Sequence, residues 1–286
     1  MFIIIGVVVT LICVFGGYMG GGGHMEVLFQ PFEFIIILGA AIGSFILGNP
    51  KSVIFGALGS FGIMMRGPRH TKASYLELLS MLYTVFRLAK TKGDLALESH
   101  VEKPHESPLF QRFPNFTSDH HALAFLCDYL RLLTLGTNNA HEVESIIDAE
   151  IESHHHEVHS WSSALNTMGD AMPALGIVAA VLGVIHTMGS ITEPPEVLGH
   201  LIGGALVGTF TGVLISYAFV APMASTMGQT FDTETMYLNC IKTGLLAHMQ
   251  GYAPQVSIEF ARKILPNGVK PSFSEVEDTV SNLSSE

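Results

Sequence analysis

Long apolar runs alternate with charged, polar stretches along the chain. Four intervals contain almost no Asp, Glu, Lys or Arg, namely Phe2 to Tyr18, Phe34 to Leu47, the stretch between Asp170 and Glu193, and Val197 to Thr230. A helix needs about 20 mostly apolar residues to cross ~30 Å of hydrocarbon, so these intervals predict four membrane spans. The second interval is short unless Phe32 and the uncharged stretch Val53 to Met65 contribute.

The segment between the second and third intervals has the periodicity of helices. Apolar residues recur at three-and-four spacing in two stretches, Tyr75 to Phe86 and Leu123 to Leu133, and prolines at positions 104, 108 and 114 separate them. An acidic stretch, Glu142 to Glu157, predicts a further helix that continues into the third span. We therefore predict an all-α, polytopic membrane protein with four transmembrane helices and a helical cytoplasmic domain.

The positions of the cations predict the orientation of the spans. Every Lys and Arg lies within Lys51 to Arg131 or Lys242 to Lys270, and the connectors Met19 to Pro31 and Ser190 to Leu198 contain neither. Because cations flanking a span tend to remain in the cytoplasm, we place both connectors outside and both termini inside. The predicted domains are a first transmembrane hairpin (1–50), a cytoplasmic helical domain (51–169), a second hairpin (170–223) and a cytoplasmic C-terminal region (224–286).

Composition and motifs exclude several functions. The 286 residues are 48% hydrophobic and 14% charged, and 14 Lys+Arg against 25 Asp+Glu give a net charge of -11, which disfavours nucleic-acid binding. No phosphate loop, nucleophile elbow or zinc-protease motif is present, so we expect no catalytic site and no cofactor. His155 and His159 share a helical face, but without further ligand spacing we favour a solvated acidic face over a metal site.

Small residues and prolines mark the third and fourth spans. Gly204, Gly208 and Gly212 recur every fourth residue, so another helix can approach closely, either within the chain or from a second chain. Pro173 and Pro222 stand at similar depth near the cytoplasmic side and suggest a shared hinge level, although Pro173 would also fit the first turn of a helix.

The polar side chains within the four intervals indicate whether this chain could line an ion path. We expect Thr211 and Ser216 to bond carbonyls of their own helix, and Thr209 is the better candidate for lining a wet path. Asp and Glu are missing from the interiors of all four intervals. Since ion pathways are normally marked by buried ionisable groups, the carboxylate that would handle a cation belongs to another chain.

Five stretches give the chain a resemblance to a known family. They are Val14 to Tyr18, Gly43 to Asn49, Asp170 to His186, Leu206 to Gly212 with its continuation to Pro222, and Gly251 to Gln255 with the later Lys270 to Phe273. Together they resemble the MotA family of flagellar motor stator proteins along nearly the whole length of the chain.

The resemblance implies a function in the bacterial inner membrane. It implies a ring of five chains around a dimer of a MotB-like partner, whose transmembrane Asp carries the ion, so that proton flow turns the ring and generates torque. It also implies hinges at Pro173 and Pro222 and a channel-facing Thr209. Ala179 and Ala180 stand where sodium-type relatives generally have a threonine near the ion, which favours protons.

The same resemblance implies a contact with the rotor protein FliG. This role falls on Lys90 and Glu98, with Lys92 as a substitute, because the family's usual Arg is replaced by Lys here. The alternatives are a sodium-driven stator subunit, a membrane scaffold that conducts nothing, and an ExbB- or TolQ-like energiser of outer-membrane processes, whose usual three spans fit less well. None of these is a conventional enzyme.

Overall fold

A computed structural model describes residues 2–66, 69–137 and 139–284, and every regular element in these ranges is helical. The chain divides into two compact units. The first comprises residues 1–67 and 156–230, and the second comprises residues 68–155 and 231–286. The predicted all-α class is therefore confirmed.

The first unit holds the membrane spans. Four helices are long and apolar enough to cross a membrane, and they are Ile3–Gly20, Met25–Gly48, Ala140–Gly189 and Pro195–Met249. We call them the first to fourth span helices. The prediction of four spans is confirmed, but the second span gains length at Met25–Leu28 and Pro31, whereas Lys51–Arg66 is a separate helix.

Two of the span helices contain π turns, in which each backbone hydrogen bond joins residues five apart instead of the four of an α-helix. The first span helix comprises Phe2–Leu11, the π turn Ile12–Gly16 and Gly17–Gly20. The fourth comprises Pro195–Ile215, the π turn Ser216–Val220 and Ala221–Met249. Ala221 N–H donates to the Ser216 carbonyl across the second π turn, directly before Pro222. A proline has no N–H, and a π turn is one way in which a helix adapts to that loss.

Pro173 lies in the interior of the third span helix, Ala140–Gly189, and not in a first turn. The interpretation of Pro173 as an ordinary helix start is therefore wrong. The acidic stretch before it continues into the span without a break, as predicted, so position 173 falls inside the helix. A proline there removes a backbone hydrogen bond, and the carbonyl of Gly169 loses its helical donor.

The second unit is built around one apolar core. Its regular elements are Lys72–Lys92, the 3₁₀ turn Asp94–Leu97, Glu98–Glu102, Pro108–Gln111, Pro114–Thr117, His120–Thr134, Pro254–Lys263 and Phe273–Ser284, together with parts of the third and fourth span helices. Both predicted apolar stripes are buried: Leu78, Leu82 and Phe86 from one helix and Leu126 and Leu130 from another are fully covered. The prolines separate the two helices as expected, and Pro108 and Pro114 each begin a short helix.

Glu77 fixes the short helix Pro114–Thr117 to the helix Lys72–Lys92. One of its carboxylate oxygens accepts from the backbone N–H of Asn115 at 2.8 Å and of Phe116 at 3.2 Å, and the other accepts from the Asn115 side chain. These N–H groups belong to a first helical turn and have no partner within their own helix. A side chain from a neighbouring helix therefore satisfies them.

Replacing Glu77 by Ala should lower the free energy of unfolding by about 1–3 kcal/mol, because two backbone donors lose a charged acceptor. The matched control is Glu106→Ala, which removes only an exposed ion pair with Lys103 and should change stability by about 0.5 kcal/mol or less. Thermal unfolding of the detergent-purified variants measures the difference. Equal effects of the two substitutions would contradict the role of Glu77.

Candidate functional site

The third and fourth span helices approach each other closely along the glycine stripe. A Cβ built on Gly212 would lie 2.6 Å from the Met172 carbonyl oxygen, and one on Gly208 would lie 3.1 Å from the Ala179 Cβ. On the facing helix, a Cβ on Gly176 would lie 2.9 Å from the Gly208 carbonyl oxygen. Two of the three predicted glycines therefore pack within the chain, against the third span helix.

Gly204, the third glycine of the stripe, packs against a different partner. A Cβ built there would lie 3.1 Å from Nε2 of Gln30, whose amide donates to the Val27 carbonyl. Gly39 and Gly43 form a second, shorter stripe in the second span helix, and among the described residues nothing lies within 4 Å of a Cβ built on either. This stripe is therefore open to the described part of the chain, whereas the stripe in the fourth span helix is filled.

Thr209 and Ala180 lie beside this close contact. A Cβ on Gly176 would lie 3.3 Å from the Thr209 Cα, and one on Gly208 would lie 3.3 Å from the Ala180 nitrogen. Both residues are half-buried, whereas the neighbouring Ala179 is only 1% exposed. The helix pair thus brings Thr209 and Ala180 to the same level of the first unit.

The two predicted hinge levels also meet. A Cβ on Gly169, one turn before Pro173, would lie 2.9 Å from Cγ1 of Val220, two residues before Pro222. On the other side of Pro222, a cavity of about 390 Å³ is lined by Ile3, Gly6, Val7, Thr10, Ala218, Phe219, Met223 and Thr226 as well as by Pro222 itself. The hinge level therefore has tight packing on one side and open space on the other.

Ser216 differs from the expectation. Its side chain is 0% exposed, and Oγ has no hydrogen-bond partner among the described residues, so the predicted bond to its own helix is wrong. Thr187, in the third span helix, does bond back in the expected way, donating to the Gly183 carbonyl at 2.8 Å. Ser216 begins the π turn, and its own N–H donates to the Gly212 and Val213 carbonyls of the helix before it.

In the second unit, the predicted rotor-contact charges lie around the end of the helix Lys72–Lys92. Lys90, Lys92 and Glu98 are all exposed. The Lys90 ammonium donates to the Gly251 carbonyl at 3.1 Å, just beyond the end of the helix Ala221–Met249. Lys90 is thus tied to the backbone near a helix C-terminus, where a cation is favoured.

Sequence reasoning missed His248, which faces the same region. Its ring stacks on Phe86 with centroids 4.7 Å apart, and Nε2 lies 3.9 Å from Oδ1 of Asp94. Burial lowers the pKa of His248 below its ordinary value, while the Asp94 carboxylate opposes that shift. His248, Lys90, Gly93 and Asp94 border a cavity of about 390 Å³. In the sequence, the one indication that His248 belongs to this region is its position just before the Gly251 to Gln255 motif.

The histidines at 154 and 155 are half-buried rather than solvated. The His154 ring stacks on that of His121 with centroids 4.4 Å apart, and His155 Nε2 lies 3.3 Å from Oδ1 of Asp232. The predicted solvated face is thus partly covered, since the His155 side chain remains 37% exposed beside Asp232.

Comparisons with known proteins give consistent matches. Family models match over residues 4–93, described as motility protein A N-terminal, and over residues 119–239, described as the MotA/TolQ/ExbB proton channel family. The chain is 42% identical to motility protein A of Escherichia coli over 98% of this chain and 95% of that relative.

Two solved structures have the same fold. The structure of C. jejuni MotAB aligns with a TM-score of 0.78 at 18% identity, covering 93% of this chain and 95% of that chain. The flagellar MotAB stator complex from Bacillus subtilis aligns with a TM-score of 0.76 at 23% identity, covering 92% and 95%.

The glycine contacts predict an asymmetry between two otherwise similar substitutions. Gly212→Ala should destabilise the first unit by about 1–3 kcal/mol, because the new methyl group would overlap the Met172 carbonyl and separate the helices. Gly43→Ala should have no such effect within the chain, because nothing lies near its built Cβ. The yield and melting temperature of the purified chain measure both. A larger loss for Gly43→Ala would contradict the packing described.

Proposed function

The chain belongs to the motility protein A branch of the MotA/TolQ/ExbB proton channel family, and on that premise we propose that it is the torque-generating, channel-forming subunit of a bacterial flagellar stator. The observation that carries the proposal is the close contact of the third and fourth span helices at Gly176 and Gly208, with Thr209 and Ala180 beside it. The protein is a multi-pass protein of the inner membrane, with both termini in the cytoplasm.

The four apolar intervals supply helix surfaces and hinges but no carboxylate. Glu33 lies in the first turn of the helix Pro31–Gly48, just outside the second interval. Asp and Glu are missing from the interiors of all four apolar intervals, so a cation crossing here needs an acid from another chain. A MotB-like partner provides it through a transmembrane Asp, and five copies of the present chain surround a dimer of that partner. Both matched structures are of MotAB, which supports such a partner.

Pro173 and Pro222 act as paired hinges of this machine. Each removes a backbone donor from its helix, and Gly169 before the first proline touches Val220 before the second. Cavity space next to Pro222 leaves room for movement. Binding and release of the ion at the partner's Asp then favours alternate positions of residues 170–223, because a ligand shifts an equilibrium by its differential affinity.

The rotor-facing region lies in the cytoplasmic domain and uses Glu98 with Lys90 or Lys92 to contact charged groups of FliG. Of the two cations, Lys90 has a structural contact with the Gly251 carbonyl. Replacing Lys90 would therefore alter both the local fold and the surface charge. Lys92 offers a test of charge at an exposed position of the same helix end.

The family branch favours a stator over an outer-membrane energiser. The motility protein A N-terminal family model covers residues 4–93, which include the first two spans. An energiser with three spans would not need this segment in its present form. A catalytic role is not part of the proposal, and no cofactor is invoked.

Reversing the charge of Glu98 should uncouple torque from ion flow. We expect Glu98→Lys to weaken rotor engagement by about tenfold or more, because an attractive contact becomes repulsive, while proton conduction stays intact. The matched control is Glu106→Lys, another exposed glutamate of the same domain, which should leave torque unchanged. Torque of tethered cells and proton uptake through a complex whose partner lacks its plug are the measurements. Normal torque in the Glu98 variant would remove this residue from the contact.

Ion flow should require both chains and should carry protons. Cells that express this chain with a plug-deleted MotB-like partner should take up protons, whereas cells with this chain alone should not, because the essential carboxylate is absent. Raising external sodium at constant pH should leave swimming speed unchanged. A speed that rises with sodium would favour the sodium-driven alternative, and absence of flux with the partner present would favour a scaffold.

A further inference from the structure

Ser216 is a polar group without a partner in an apolar setting. Its Oγ is buried and unpaired among the described residues, although buried hydroxyls are nearly always hydrogen-bonded. The apolar residues Ile215 and Val220 on either side of it pack against a buried cluster formed by Ile37, Ala41, Met172 and Ala179. An unpaired hydroxyl at such a position is costly unless something within the first unit satisfies it.

Helix spacing determines which part of the third span helix Ser216 faces. Gly212, four residues earlier, meets Met172 and Gly176, and Val220, four residues later, meets Gly169. Residues four apart lie on one face of a helix. Ser216 therefore points at the stretch between Gly169 and Met172.

That stretch contains a backbone acceptor that has lost its donor. Pro173 has no N–H, so the carbonyl of Gly169 cannot make the usual hydrogen bond to the residue four positions later. In a membrane no bulk water reaches such a carbonyl, and helices with an internal proline depend on neighbouring side chains or ordered water. Residue spacing thus places a hydroxyl without a partner among the described residues opposite a carbonyl that has lost its helical donor.

We propose that Ser216 and the Gly169 carbonyl bind a water molecule between the third and fourth span helices, and that this water replaces the hydrogen bond removed by Pro173. A buried water typically makes two to four hydrogen bonds to polar groups that are otherwise unsatisfied. Here Ser216 Oγ supplies one and the Gly169 carbonyl supplies another. The π turn, in which the regular helical hydrogen bonding is interrupted, begins at Ser216 and so lies beside this water site.

The water site joins the region of Pro173 to that of Pro222 through hydrogen bonds that can break and re-form. Pro173 creates the acceptor, and the residue that serves it begins the π turn before Pro222. A change in the angle of either helix alters the distance between Ser216 and Gly169 directly. This inference concerns the packing of the first unit and does not depend on the proposed function.

Solid-state magnetic resonance of the full-length chain, purified with its partner and reconstituted in bilayers, tests the site. Only two glycines in the sequence are followed by aspartate, Gly93 and Gly169. Isotope labelling of glycine carbonyls and aspartate nitrogens therefore selects two carbonyl signals. The Gly93 carbonyl accepts from the Ala96 N–H at 3.0 Å in the second unit and serves as the internal reference.

In the wild-type protein we expect the Gly169 carbonyl signal to receive magnetisation from water. Ser216→Ala should abolish that transfer and shift the Gly169 signal, while the Gly93 signal stays in place. Thr211→Val, which removes another buried hydroxyl from the same helix, should change neither signal. Pro173→Ala restores the backbone donor, so adding Ser216→Ala to that variant should cause no further shift.

Three results would overturn the proposal. A Gly169 signal that shifts in Ser216→Ala without any water transfer in the wild type would indicate a direct hydroxyl contact instead. A signal that does not shift at all would mean that Ser216 serves another group. Equal shifts in the Ser216→Ala and Thr211→Val variants would indicate general loosening of the helix pair. Ser216→Cys, which keeps the size of the side chain, distinguishes a packing defect from loss of the hydroxyl if the alanine variant is poorly folded.

Discussion

The arrangement of the first unit depends on how closely the backbones of two helices can approach each other. In lipid, apolar side chains gain nothing by leaving one apolar environment for another, so association relies on close packing and on polar contacts between helices. Residues without side chains permit that approach where the third and fourth span helices cross, and Gly176, Gly208 and Gly212 occupy the crossing. The relative positions of Thr209, Ala180, Pro173 and Pro222 follow from it, because each lies at a fixed spacing from one of these glycines.

Close packing of this kind conflicts with the internal prolines. A helix pair held by backbone proximity is rigid, yet Pro173 and Pro222 each remove a hydrogen bond from it. The fourth span helix adapts locally with the π turn Ser216–Val220, whereas the third stays α-helical through Pro173. The two helices thus respond differently to the same defect. The chain is tightly packed at Gly169, whereas a cavity lies beside Pro222. The fourth span helix therefore has space to move toward that cavity.

Much of the fold could be predicted from the sequence because membrane and core impose simple patterns. Four uncharged intervals identified the spans, and apolar residues at helical spacing identified the buried faces around Leu82 and Leu126. Local geometry at prolines was harder to predict. The sequence alone could not separate a proline in a first turn from one deep in a long helix, since the acidic stretch before Pro173 is compatible with both. The missing bond of the Ser216 hydroxyl could not be predicted either, because the Gly212 and Val213 carbonyls before it belong to a regular helix and already accept from the Ser216 N–H.

The charged region of the second unit shows a different limit of sequence reasoning. Lys90 and Glu98 were selected through resemblance, but the contacts of Lys90 with Gly251 and of His248 with Asp94 join segments that are far apart in sequence. Such long-range pairs leave no periodic signal. They also change the meaning of an exposed lysine, because Lys90 both presents a charge and holds the Gly251 carbonyl just beyond the helix Ala221–Met249. Lys90 donates to the Gly251 carbonyl, whereas Lys92 is exposed at the same helix end, so the two lysines are not equivalent. Loss of torque on replacing Lys90 alone would therefore not identify a rotor contact.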